Sequence, residues 1–107
     1  AEVLCMSRKL GVDDEVLKNV VSQSSGQSFV FDRNVTKFMM SGEHTPGFRL
    51  NLMKKDVGLF VDAANELEGF TPVTNLIYEM FRACANSGMG DLNYTSIHKW
   101  IEENQSR

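Results

Sequence analysis

A Pro-Gly turn, an aromatic residue and a charged helix start hold the side chains of this sequence that could do chemistry. The turn and aromatic occupy 46–48, and the helix predicted after them carries Lys54, Lys55 and Asp56 within one turn. Such a helix start can offer polar groups to a ligand or a partner domain. The alternative is a solvated helix face, but a lysine near a helix N-terminus opposes the helix dipole. An anionic ligand would compensate for that arrangement.

The apolar positions of this helix separate its three charges. Met53 and Val57 belong to its core-facing seam, so Lys54 and Lys55 lie on different flanks and cannot share one role. Asp56 comes directly before a core position, and we expect it to be half buried. The two lysines therefore have to be judged separately.

No other residues form a complete catalytic constellation. The glycine-containing segment 88–90 follows a helix rather than a strand, unlike a nucleotide-binding turn. His44 and His98 are far apart, and neither has a partner at metal-ligand spacing, so we predict no metal site. We expect His44 in an exposed loop and His98 on the outer surface of the last helix. The serines of segment 24–28 lack a neighbouring base and are explained by turn formation.

Composition restricts the class of protein. The 107 residues suffice for a single domain, with a net charge of −3 and no basic stripe, which argues against nucleic acid as the main ligand. No apolar run approaches the roughly 20 residues of a membrane span. Cys5 and Cys84 are predicted to be buried, reduced thiols. Because Ala1 to Met6 already reads as helix interior, we expect the chain to be cut from something longer.

Helical periodicity predicts an all-α domain of about six helices joined by short loops. The first two helices are predicted at about 1–10 and 14–23. The third is capped by Ser28 or Ser25 and ended by Ser41-Gly42. The last three are predicted at about 50–68, 73–87 and 94–103. The fourth has a predicted seam of Met53, Val57, Phe60, Ala64 and Leu67. The fifth has a predicted buried face of Val73, Leu76, Ile77, Met80, Phe81 and Cys84. Gly58 inside the fourth helix predicts a close packing contact at the backbone.

The sequence resembles the C-terminal domain of the β-hydroxyacid dehydrogenase family, which includes 3-hydroxyisobutyrate dehydrogenase, tartronate semialdehyde reductase and the glyoxylate/succinic semialdehyde reductases. The segments that carry the match are Pro46-Gly47-Phe48, Leu50, Leu52, Lys55-Asp56-Val57-Gly58-Leu59, Thr71-Pro72-Val73-Thr74, Ser87-Gly88-Met89-Gly90-Asp91, Gly11-Val12-Asp13 and Ser24-Ser25-Gly26-Gln27-Ser28. Their order and spacing cover essentially the whole chain. The fold implied is the helical bundle of the 6-phosphogluconate dehydrogenase C-terminal domain.

The resemblance implies roles for three residues. Lys55 matches a lysine that reaches the nicotinamide end of the cofactor, and Asp56 and Phe48 match positions associated with the active-site cleft. Two positions depart from the family pattern: Gln27 replaces an arginine and Met89 replaces a histidine. The family's catalytic lysine, with an asparagine one turn on, lies on a preceding helix that this sequence does not contain. No catalytic residue is therefore assigned to this chain.

The resemblance also implies a function for a larger enzyme. We expect an NAD- or NADP-dependent dehydrogenase or reductase of small hydroxy acids or their semialdehydes, cytoplasmic or in the mitochondrial matrix. Its partners would be its own N-terminal Rossmann domain, its substrate and a second copy, most simply as a dimer. The 107-residue chain alone is expected to be inactive. The alternative is a free-standing helical module that binds a partner helix.

Overall fold

Helices form nearly all of the regular structure in residues 1–105, which are the residues that the computed structural model describes. The helices are α1 (Glu2–Lys9), α2 (Asp14–Ser22), a π-helix (Phe31–Met39), α3 (Leu50–Glu66), α4 (Pro72–Cys84) and α5 (Ile97–Glu103). A π-helical turn, Ala85–Met89, continues α4, and a 3-10 turn, Tyr94–Ser96, leads into α5. Within these residues no strand forms beyond one isolated antiparallel bridge between Arg49 and Asn93. The predicted all-α class with six helices is confirmed.

Two buried apolar clusters hold the helices together. The first joins α3, α4 and the following turn, and contains Leu50, Phe81, Cys84 and Met89. The second joins α1 and the π-helix, and contains Leu4, Val35 and Met39. Ile97, at the start of α5, packs against both clusters. The last helix therefore connects the two halves of the core.

Several local predictions are confirmed. Ser28 Oγ accepts a hydrogen bond from the Phe31 N–H at 2.9 Å, so Ser28 caps the π-helix. Pro72 occupies the first turn of α4, where its missing N–H is harmless. A Cβ placed on Gly58 would lie 3.1 Å from the Tyr78 ring, which is the close contact that a glycine in α3 predicted. Cys5 and Cys84 are buried and unpaired.

The predicted apolar faces of α3 and α4 are wrong at one end of the hairpin. Phe60, Leu67, Val73, Leu76 and Ile77 are exposed rather than buried. The first core cluster is built from the first half of α3 and the last half of α4. A two-helix hairpin buries only the face between its helices, and at this end no third element of residues 1–105 covers the rest. We call Phe60, Leu67, Phe70, Val73, Leu76 and Ile77 the hairpin patch.

No helix in residues 1–105 combines the length and apolar composition that a membrane crossing requires.

Candidate functional cleft

A single buried side chain, Asn93, holds the Pro-Gly turn that precedes α3. Its Oδ1 accepts hydrogen bonds from the N–H groups of Gly47 at 3.0 Å and Phe48 at 2.8 Å. Two backbone hydrogen bonds also join the turn to this segment: Asn93 N–H donates to His44 O, and Tyr94 N–H donates to Phe48 O. Since two backbone donors converge on one atom, that atom must be the amide oxygen. The turn is thereby fixed to the segment that leads into α5.

The same network continues to His44. Asn93 Nδ2 donates to Thr95 Oγ1 at 2.8 Å, and Thr95 Oγ1 lies 2.9 Å from His44 Nδ1. The Thr95 hydroxyl can accept a second hydrogen bond or donate its own hydrogen, so this contact forms with either neutral tautomer of His44. His44 is buried, so its predicted exposed position was wrong. The misjudgement arose because the residue that covers it comes from 51 positions along the chain.

The buried neutral state of His44 predicts a pH-dependent stability. Burial, followed by the charge of Lys99, lowers the pKa of His44, while Glu102 opposes the shift. As the pH falls below about 6.5, the unfolded state takes up the proton first, so the free energy of unfolding decreases by up to about 1.4 kcal/mol per pH unit until the folded-state pKa is reached. Urea unfolding between neutral and mildly acidic pH measures this slope.

The matched variant is His44→Asn, whose amide does not titrate and can hydrogen-bond to Thr95 as donor or acceptor in place of Nδ1. Below neutral pH, the free energy of unfolding of this variant should depend less steeply on pH than that of the wild type. The dependence that remains comes from other titrating groups. Equal slopes in the two proteins would show that His44 is not a neutral buried group.

Phe48 lies at the wall of a cavity that also contains two cations. The cavity has a volume of about 270 Å³, and its lining includes Phe48, Arg33 and Lys37 but neither Lys55 nor Asp56. Phe48 is half-buried and packs edge-to-face on Tyr94, with ring centroids 6.3 Å apart. The cations are positioned by aromatic rings and no carboxylate is among the lining residues. The cavity can therefore hold an anionic group beside an aromatic face.

Lys55 and Asp56 lie on the outside of α3. Lys55 Nζ is 3.7 Å from Asp56 Oδ1, and their side chains are 63% and 54% exposed. The Asp56 side chain is therefore about half covered, in line with the position expected for it. An exposed ion pair of this length contributes little to folding. Both groups are free to meet a surface that approaches α3.

The sequence of this chain matches one protein-family model over nearly its whole length. The family model described as NAD-binding of NADP-dependent 3-hydroxyisobutyrate dehydrogenase matches residues 1–101. The chain belongs to this 3-hydroxyisobutyrate dehydrogenase family. The resemblance stated from the sequence motifs is therefore confirmed.

Individual relatives agree with the family match. A 2-(hydroxymethyl)glutarate dehydrogenase from Eubacterium barkeri is 30% identical over 103 residues, which are 96% of this chain and 34% of the relative. An L-threonate dehydrogenase from Haemophilus influenzae is 29% identical over 99 residues, which are 92% of this chain and 33% of the relative. The crystal structure of a 3-hydroxyisobutyrate dehydrogenase from Salmonella typhimurium matches with a TM-score of 0.85 and 26% identity, covering 92% of this chain and 34% of that one. The chain spans about a third of the length of these relatives.

Both departures from the motifs of the dehydrogenase family have a structural role in this chain. Gln27 Nε2 donates to Asp32 Oδ2 at 2.8 Å and so ties the serine-rich loop to the π-helix. Met89 is buried in the first core cluster, where its sulfur lies 3.7 Å from Cys84 Sγ. Both residues therefore make contacts within the fold at positions where the family pattern has an arginine and a histidine.

One cluster of this dehydrogenase-family domain was missed from the sequence. Cys5, His98 and Glu102 bring a sulfur, a ring nitrogen and a carboxylate oxygen within 4.8 Å of one another. The prediction that neither histidine has a partner at metal spacing was wrong, since His98 and Glu102 are four residues apart on one helix. His98 is also buried rather than on the surface. The i,i+4 pair was readable from the sequence, but the contribution of α1 was not.

Proposed function

We propose that this chain is the C-terminal helical domain of an NAD- or NADP-dependent dehydrogenase or reductase of small hydroxy acids or their semialdehydes. In this proposal an N-terminal Rossmann domain supplies the dinucleotide site and the catalytic lysine, and this domain closes the active-site cleft with Lys55, Asp56 and Phe48. The observation that carries the proposal is the family match over residues 1–101, combined with the one-third coverage of relatives named as dehydrogenases.

The geometry of the candidate cleft supports these roles. Lys55 and Asp56 form an exposed pair with each other, so a cofactor or a second domain can reach them. Phe48 is fixed in place by Asn93 and by Tyr94, which makes it a rigid apolar wall. The cations in the cavity beside it suit the carboxylate or phosphate groups of the proposed ligands. A fixed apolar wall beside Arg33 and Lys37 is an arrangement that suits a small anionic substrate.

Replacement of Lys55 tests the role proposed for it. In the full-length enzyme that carries this chain, Lys55→Ala should raise the KM for the nicotinamide cofactor about tenfold, equivalent to about 1.4 kcal/mol, with a smaller effect on kcat. The physical reason is the loss of a cation that contacts the anionic cofactor. Steady-state kinetics with the cofactor as the varied substrate measure this change.

Lys54 provides the matched control, because it carries the same charge one position earlier on a different flank of α3. Lys54→Ala should leave both kinetic constants unchanged. If Lys55→Ala also leaves the cofactor KM unchanged, Lys55 does not belong to the cofactor site. If the two variants have equal effects, general surface charge and not the specific position of Lys55 is responsible.

We also propose that the hairpin patch is a homodimer interface of the enzyme. Leu67 is 82% and Phe70 is 93% exposed, and neither has a role within the described domain. Exposed Phe and Leu side chains lie at this end of the hairpin, and apolar patches of this kind mark association surfaces. A second copy is the occupant we propose, because closed twofold symmetry is the commonest way in which a protein covers such a surface.

A further inference from the structure

Three metal-ligating side chains from the two ends of the described chain converge away from the candidate cleft. Cys5 lies on α1, whereas His98 and Glu102 lie on successive turns of α5. Cys5 Sγ, a ring nitrogen of His98 and a carboxylate oxygen of Glu102 are all within 4.8 Å of one another. Cys5 and His98 are buried, and Glu102 is partly exposed. Neither the family match nor the proposed dehydrogenase function assigns a role to this cluster.

His98 Nε2 is an orphaned polar atom inside the cluster. The residue is 1% exposed, and this nitrogen has no hydrogen-bond partner among the described residues. Glu102 Oε1 lies 3.7 Å from this nitrogen, which is too long for a hydrogen bond. Leaving a buried polar atom unpaired costs about 1–3 kcal/mol. The arrangement is explained if a bound species occupies the space that the nitrogen faces.

The geometry points to a divalent transition-metal site, suited to Zn²⁺, with Cys5, His98 and Glu102 as its three protein ligands. A thiolate, an imidazole and a carboxylate are the donors that zinc takes, with a fourth position left for water. Zinc bond lengths place neighbouring ligand atoms about 3.3–3.8 Å apart in a tetrahedron. The 3.7 Å between His98 Nε2 and Glu102 Oε1 lies in this range, and the distances to Cys5 Sγ are at most 4.8 Å. Metal binding would hold α1 against α5 and thereby connect the two ends of the domain.

The charges around the cluster set its expected affinity. Arg8 Nη1 donates to Glu102 Oε1 at 3.0 Å, and the same guanidinium forms a two-bond pair with Asp14. This cation opposes metal binding, while the Cys5 thiolate and the Glu102 carboxylate favour it. We therefore expect micromolar affinity rather than the tighter binding of a structural zinc site.

A cobalt titration tests the site directly. The 107-residue chain, purified and treated with chelator, is titrated with Co²⁺, which takes zinc sites and produces a thiolate-to-cobalt absorption band only when a cysteine is a ligand. We expect one equivalent to bind, the band to appear and Zn²⁺ to displace it. Cys5→Ser should abolish the band and weaken Zn²⁺ binding at least about 100-fold, because a ligand is lost rather than an outer-shell partner.

Cys84 provides the matched control, since it is also a buried thiol but belongs to no cluster of metal ligands among the described residues. Cys84→Ser should retain the band. The proposal is overturned if wild-type chain shows no band at micromolar Co²⁺, or if the band survives in Cys5→Ser. His98→Gln should likewise lose the band, and if this variant does not fold, the wild-type and Cys5→Ser spectra still decide.

An acetylated N-terminus separates the proposed site from chelation by the terminal amine. The Ala1 amino group is electrostatically coupled to Cys5, so it could act as a ligand in the free chain. Acetylation should leave the cobalt band and the Zn²⁺ affinity unchanged. If acetylation abolishes metal binding, Cys5, His98 and Glu102 do not form the site by themselves, and the proposed ligand set is wrong.

Discussion

Asn93→Ala should destabilise the chain by about 3 kcal/mol, a large fraction of the stability of a small domain. The substitution removes an oxygen that accepts two backbone hydrogen bonds and an amide that donates to Thr95. Thr95 is fully buried, so water cannot replace the lost donor there. The N–H groups of Gly47 and Phe48 lie closer to solvent and contribute less of the loss. Urea unfolding measures the change in free energy.

A local measurement shows whether the turn itself is released. Hydrogen exchange at the Gly47 and Phe48 amides should be slow in the wild type and much faster in Asn93→Ala under folding conditions. Asn19→Ala is the matched control, because Asn19 is exposed in the middle of α2 and should change stability by less than about 0.5 kcal/mol. A loss below 1 kcal/mol for Asn93→Ala, with the two amides still protected, would show that another group holds the turn.

The role of Asn93 could not be predicted from the sequence. The helices were predictable because apolar residues recur at helical spacing and because Pro72 and Ser28 mark their starts. Asn93 stands in a loop with no periodic pattern, and its partners lie 45 and 46 positions earlier. His44 was misplaced for the same reason. A buried polar network depends on contacts between distant segments, and the spacing of residues within one segment does not predict such contacts.

The exposed end of the hairpin shows a second limit of sequence reasoning. Periodicity placed Phe60 and Leu76 correctly on helices, in the stripes of α3 and α4. It could not say what covers them, because an apolar stripe has the same spacing whether it meets its own domain or another surface. For the candidate cleft, motif order placed Phe48, Lys55 and Asp56, and their roles stay predictions until the intact enzyme is tested.

If the hairpin patch is the homodimer interface that we propose, Phe70→Glu should convert the dimer to a monomer. Phe70 is 93% exposed within the described domain, so the change removes no folded contact and the monomer should keep its stability. In a twofold interface each copy would bring one new carboxylate against an apolar surface, and burying an unpaired charge is strongly unfavourable. We expect the dimer dissociation constant to rise at least 100-fold, which is about 2.7 kcal/mol. Sedimentation equilibrium over a range of concentrations measures this constant.

Val20→Glu is the control that locates the interface. Val20 is an exposed apolar residue on α2, which packs against α1 and the π-helix rather than against the hairpin. The same change of charge there should leave the dimer intact. If Val20→Glu dissociates the dimer and Phe70→Glu does not, the subunits associate through the α2 side and the hairpin patch has another role. A wild-type chain that stays monomeric at high micromolar concentration would contradict the homodimer proposal for this domain, without affecting the roles proposed for Lys55 and Phe48.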